Sequence, residues 1–256
     1  MIIGRSTLSS PGHRTDGRGK RRLVVALTAL LLLAGCATPA EPEATERPLT
    51  TEEAQRLAVS RFLNFDAGTR TVTVDLAESD QLHFEGWVDF SKHQGYGLLT
   101  EPDAAGESLL LRWDLTAVAV HDVPSSPELL PVPTDGWTTG SLDPGSDPLH
   151  NVLAVLLSLG SDRPDNPTLL QQTDALWLRE DSIDGTPVDV FAGPSSDTPV
   201  TESSAPNPRT VLYWVDDDGR MLRVEIAASA EEYSRIDLGD SQSQDLGIPP
   251  SEGLAP

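Results

Sequence analysis

The 256-residue chain has a single cysteine, Cys36, so no intrachain disulfide can staple it and its stability has to come from an apolar core. Basic residues are also scarce. Eighteen Lys and Arg stand against 40 Asp and Glu, a formal charge of −22. A field of that sign repels phosphate backbones, which argues against nucleic acid as a partner, and it leaves no basic patch for anionic lipid headgroups. The longest apolar run, residues 23–35, has thirteen residues, short of the about 20 that a membrane-spanning helix needs. Catalytic signatures are missing as well: there is no Gly-x-Ser-x-Gly, Ser-x-x-Lys, His-Glu-x-x-His or His-x-His. With no motif to set a base beside a nucleophile, the expectation is a protein that is not an enzyme, with no catalytic residues, cofactor or metal. Aromatic residues make up 5% of the chain, too few to name one that would read a polar headgroup.

The apolar run itself carries information. Arg18, Lys20, Arg21 and Arg22 precede it, the charged-then-apolar order of an export signal. It ends in Leu33-Ala34-Gly35-Cys36, which resembles the lipobox of bacterial lipoproteins. The resemblance implies that cleavage makes Cys36 the first residue, that its thiol takes a diacylglyceryl group, and that its amine often takes a third chain of the palmitate kind. One acyl chain holds a protein marginally, at about 0.8 kcal/mol per buried CH₂, so two or three make a stable anchor to the cell membrane. Cleavage removes one of the 40 acids and six of the 18 bases, leaving 39 against 12, a charge of −27. Residues 37–48, rich in Pro, Glu, Ala and Thr, read as a disordered tether on the extracytoplasmic face.

A domain is expected over residues 49–238. Thr50 and Glu53 have the spacing of a capping box, Ala54, Leu57, Ala58 and Phe62 recur at helical spacing, and Gly68 ends the helix. From Arg70 the period falls to two. Val72, Val74 and Leu76 alternate with polar residues, as do Leu82, Phe84, Val88 and Phe90, and three more such segments reach residue 122. Sequential strands with nothing helical between them predict an antiparallel meander. Residues 123–148 hold six prolines and no period, and lead into a helix over 149–159 that is apolar around most of its circumference, with Asp147 as N-cap, Pro148 first and Gly160 as the stop. A short helix near residues 166–172 and four more strands follow, the last two joined at Asp218-Gly219, where both positions are expected at positive φ. Residues 194–208 read as a polar loop, and from Gly239 as a disordered tail.

The acidic and imidazole groups show no spacing that marks a metal or acid-base site. His83, His93, His121 and His150 are scattered and suit surface or packing roles. Asp216, Asp218, Gly219 and Glu225 fall at the third, fifth, sixth and twelfth places of a calcium loop, but Trp214 occupies the first and cannot coordinate, so a hairpin is expected there. Glu180-Asp181 and Glu231-Glu232 read as a solvated anionic face.

The order helix, strands, Pro-rich crossover, apolar helix, strands is similar to the LolA-like fold, and to actinobacterial lipoproteins of the LprG and LppX type. The local likenesses are Asp143-Pro144 and Asp147-Pro148 before the apolar helix, Ile183-Asp184-Gly185 before a strand ending at Gly193, and Val211, Trp214-Val215-Asp216, Gly219 and Leu222 in the last hairpin. The resemblance implies an α+β fold, a curved antiparallel sheet or half-barrel covered by helices, with an apolar cavity for acyl chains of a lipid or glycolipid. Leu149, Val152, Leu153, Leu156, Leu157, Trp177 and Trp214 would line that cavity. The alternative is a lipid-tethered module that meets an envelope protein partner through its acidic surface.

Overall fold

The computed structural model describes residues 45–77, 82–101, 108–123, 127–194, 210–229 and 232–242. Cys36, the export segment, residues 37–44 of the tether, most of the 194–208 loop and the tail beyond residue 242 lie outside them.

Helix α1 (Thr51–Ala67) starts where the capping box sets it: the Thr50 hydroxyl accepts from the Glu53 amide at 3.3 Å, and the Thr50 amide donates to the Glu53 carboxylate at 2.9 Å. Arg47 forks onto the same carboxylate with two hydrogen bonds of 2.7 Å. Gly68, at φ 69°, ends the helix. Strands β2 (Thr69–Asp75), β3 (His83–Asp89), β4 (Gln94–Thr100), β5 (Ser108–Trp113) and β6 (Ala117–Val123) form the expected meander, and β7 (Thr138–Ser141) extends it. Helices α2 (Pro148–Ser158) and α3 (Pro167–Gln172) come next, then β8 (Leu176–Ile183), β9 (Thr186–Ala192), β10 (Val211–Val215), β11 (Met221–Ala227) and β12 (Tyr233–Gln242).

Among the described residues all strands join one antiparallel, unclosed sheet in the order β1-β8-β9-β10-β11-β12-β2-β3-β4-β5-β6-β7, where β1 is the two-residue strand Arg47–Pro48. The fold is α+β, a curved sheet with few helices. The two meanders meet where β12 pairs with β2.

Four local expectations change. β12 continues past Gly239 to Gln242, whose partner is Thr69, so the domain does not stop at 238. Its apolar positions are only Tyr233, Ile236 and Leu238, too few to announce a strand of ten residues. Arg47 and Pro48, counted with the tether, pair with Trp177 and Leu176. The Asp218-Gly219 turn has positive φ only at Gly219, because the Asp216 carboxylate folds a longer loop by accepting the amides of Asp218 and Arg220. The tight turn with both residues at positive φ is instead Asp184-Gly185, between β8 and β9. Gly160 is not the helix stop either. Leu159 caps α2 in a right-handed conformation, and Gly160 lacks a side chain because Phe90 presses on it.

Alternation along the strands sorts the core. One face, here called inner, carries Val72, Val74, Phe84, Val88, Leu111, Trp113, Val224 and Ile236 beneath α2. Ala54 and Leu57 of α1 pack with Phe191 and Val215 farther along that face. The outer face is also partly dry. Val190, Ala192, Leu212 and Trp214 form a separate cluster there, and residues 127–137 cover β4 to β6, where Tyr96 is fully buried and donates its hydroxyl to the Leu129 carbonyl at 2.6 Å. The Pro-rich segment is therefore a strap as well as a crossover.

The start of α1 yields a pH prediction. The Arg47 hydrogen bonds hold the Glu53 carboxyl down to about 2, from an ordinary 4.5, against the opposing effect of burial. A depressed carboxyl stabilises the fold above its unfolded pKa, and the contribution is lost as pH falls through the folded value. Urea denaturation between pH 4.5 and 2 is expected to show falling stability with a slope that flattens in Glu53→Gln; an unchanged slope would sink this assignment.

Candidate functional site

The space between α2 and the inner face is the candidate site, and glycines decide its depth. Gly86, Gly95 and Gly97 sit at inner positions of β3 and β4, with Gly86 directly opposite Gly97. A Cβ at Gly86 or Gly97 would collide with the Phe84 ring, and one at Gly95 with the Trp113 indole. The bare backbone lets these two rings lie on the sheet, edge to face at 5.4 Å between centroids. The Trp113 indole N–H reaches up to the Leu153 carbonyl of α2 at 3.1 Å.

Over that floor the helix is packed down. Val152, Leu153, Leu156 and Leu157 are each at most 3% exposed, and Leu149 is partly buried at the edge of the same cluster. The sequence expectation placed seven side chains around one hollow, and five of them do share this region. Trp177 and Trp214 do not. Trp177 packs with α1 beneath Arg47 and donates to Asp189 at 2.7 Å, whereas Trp214 points to the outer face and donates to Asp181 at 3.0 Å. Period-two alternation puts Trp214 out of reach of α2, because its neighbours Tyr213 and Val215 hold the inner positions.

The two ends of α2 differ. Its C-terminal carbonyls, which have no partner within the helix, are met from outside: His93 donates to Leu157 at 3.2 Å, Arg61 to Ser158 at 2.9 Å and Asn64 to Leu159 at 3.0 Å. The N-terminal turn is held by its own cap, Asp147 accepting the amides of Leu149 and His150. That turn faces the end of the sheet where β3 and β5 begin and β4, β6 and β11 end, and here the packing opens. One cleft of about 430 Å³ lies among Leu82, Leu99, Leu109, Ser108 and Val123, with Glu101 and Asp122 on its rim. Another, of about 320 Å³, lies between Asp147, Asn151, Val152 and the strand residues Ile226 and Ser234. Leu82, Leu109 and Ile226 were not among the expected lining residues. Their signal was present as inner-face alternation, but which strand ends surround the start of α2 depends on the sheet order.

No grouping of His, Cys, Asp and Glu suited to a metal occurs among the described residues. His83 hydrogen-bonds Asp75 at 2.7 Å and Glu85 at 3.2 Å, and His150 accepts from the Asp143 amide, so these imidazoles do structural work. Among the described residues no helix is long and apolar enough to cross a membrane.

Fold and site together define the class: an α+β domain in which a curved, unclosed antiparallel sheet holds an apolar helix and opens at one end. No protein-family model matches the chain, and no curated protein does. Among solved structures it is similar to LprF from Mycobacterium bovis, at 15% identity and a TM-score of 0.44, over 78% of this chain and 97% of that one. It is also similar to the Mycobacterium tuberculosis lipoprotein LppX, at 16% identity and a TM-score of 0.43, over 77% of this chain and 97% of that one.

Trp113 tests how the interior is filled. Trp113→Ala is expected to cost about 3–5 kcal/mol in urea denaturation and to leave a dry void that takes up benzene, seen as new shifts of the Leu153 and Phe84 resonances. A loss under 1 kcal/mol with no benzene effect would mean that the ring is not the plug.

Proposed function

We propose that the chain is an extracytoplasmic lipoprotein, anchored through acyl chains on Cys36, whose domain binds the acyl part of a hydrophobic ligand at the mouth beside the first turn of α2. The observation that carries the reading is the cleft of about 430 Å³ walled by Leu82, Leu99, Leu109 and Val123 at the ends of β3 to β6, with the smaller cleft beside the first turn of α2. Its size falls within the about 300–1,000 Å³ of small-molecule sites, and its walls pair an apolar side of Leu82, Leu99, Leu109 and Val123 with a polar side of Glu101, Ser108 and Asp122. Glu101 and Asp122 on the rim disfavour an anionic headgroup, so the polar end of the ligand is neutral or cationic, as in a glycolipid. The ligand enters from the mouth. The buried leucines of α2 and the Trp113 ring already fill the space farther in.

The full chain carrying Cys36→Ser is expected to take up a fluorescent fatty acid alcohol or ester saturably, and Leu109→Asp to weaken uptake at least tenfold while the circular dichroism stays unchanged. Native mass spectrometry showing only the bare chain, together with no uptake, would overturn the reading. In the native host, mass spectrometry of the wild-type N-terminal peptide should show acyl groups on Cys36.

The filled interior favours a second reading, a tethered module that binds an envelope protein through its acidic surface rather than carrying lipid. Such a partner is basic, and its association weakens steeply as salt screens the field. Proximity labelling that returns one recurrent protein partner, with no lipid uptake, would select it.

A further inference from the structure

At the opposite end of the strands from the mouth, a guanidinium is buried without a carboxylate beside it. Arg70, 4% exposed at the start of β2, donates from Nε to the Gly239 carbonyl at 2.9 Å and from Nη2 to that of Leu238 at 2.9 Å. Its Nη1 donates to Asn64 Oδ1 at 2.6 Å and to the Met221 carbonyl at 3.0 Å. All four acceptors are neutral and belong to rigid elements, so the charge is fixed in place and not neutralised by contact. Burial lowers its pKa to about 10, with Arg220 adding to the effect, and Asp240 and Asp216 oppose it only through space. A guanidinium has five N–H groups, and these bonds engage four of them.

Beside Arg70 opens a pocket of about 340 Å³ lined by Leu63, Asn64, Ala67, Arg70, Arg220 and Ser241. Its walls thus hold two cations and a hydroxyl, in a chain that carries 39 acids against 12 bases once the export segment is removed. A desolvated positive charge gains most from an anion brought into contact; Arg70 has one N–H left for it, at Nη2, and the fork that suits the paired oxygens of a phosphate or carboxylate is that of Arg220. We infer that this pocket binds an anionic oxygen group of the phosphate class, with Arg70 as the fixed charge, Arg220 as the mobile arm and Ser241 as a neutral donor. Asn64 takes no direct part, since its oxygen serves Arg70 and its amide serves Leu159. The site is independent of the mouth and of lipid uptake there.

The test uses the full chain carrying Cys36→Ser, at constant ionic strength, with the arginine Nε–H resonances as readout. Inorganic phosphate is titrated first, then phosphatidylglycerol vesicles, with phosphatidylcholine vesicles as the control. Saturable shifts of Arg70 and Arg220 with inorganic phosphate support a free phosphate ligand, and shifts with phosphatidylglycerol vesicles alone support a headgroup. In either case Arg220→Gln is expected to weaken binding at least tenfold without moving the unfolding midpoint. That variant is preferred to one at Arg70, which ties four elements together. Absence of saturable shifts with both probes, or equal shifts in Arg220→Gln, would overturn the proposal.

Discussion

A single short helix must occupy the hollow side of a twelve-stranded sheet that never closes, and the other features of the domain follow from that demand. Eleven residues of α2 cannot cover twelve strands, so the rest of the inner face is filled by α1, which packs its Ala54 and Leu57 side toward β9 and β10. What α2 does cover is made shallow enough to seal. Glycines at inner positions of β3 and β4 let Phe84 and Trp113 press close onto the sheet, edge to face, and the helix then rests on aromatic rings instead of on backbone. Close packing of this kind leaves little void, because interiors approach the density of molecular crystals.

The second constraint is polar. Arg70 and Asn64 gather carbonyls from β11, β12 and the end of α2 into one buried network, so the strands that join the two meanders and the helices that cover them are fixed at a common point. Buried polar groups are costly unless they are met, and a network that engages four of the five Arg70 N–H groups and both ends of the Asn64 amide favours a single arrangement of its elements. The network sits where the β2–β12 pairing shifts, between Leu238 and Ser241.

Much of this architecture was legible in the residues, and the illegible parts have identifiable causes. The capping box at Thr50, the Asp147-Pro148 start of α2 and the alternation in β2 to β6 are local signals, each contained within a few residues, and they marked their elements correctly. The expected lining of the site failed at Trp177 and Trp214. Trp177 holds an inner position opposite Phe191 but on β8, under α1 and near the sheet edge, and the outward phase of β10 turns Trp214 away; neither sheet order nor phase is written in composition. β12 was missed because one of its buried positions is Ser234 and its last four residues are polar or glycine and exposed, so that only pairing with β2 marks them as strand. The burial of Arg70 has no local signal: the sheet order, with β12 folded back against β2, encloses it.

The unequal attachment of α2 connects packing to possible motion. Four carbonyls from Leu153 to Leu159 are held by side chains of β5, the β3–β4 turn and α1, whereas the first turn rests on apolar contacts and its own cap. Lifting the whole helix would break all four hydrogen bonds, each worth about 0.5–1.5 kcal/mol net, and would also expose the fully buried Leu156 and Leu157. Raising only the first turn exposes Leu149, already half out, and Val152, and among the described residues the one hydrogen bond from outside α2 that is lost is that of the Asp143 amide to His150. Any widening of the interior therefore starts at the mouth, at the turn nearest the clefts, and proceeds inward only as far as Trp113 anchors the helix to the sheet.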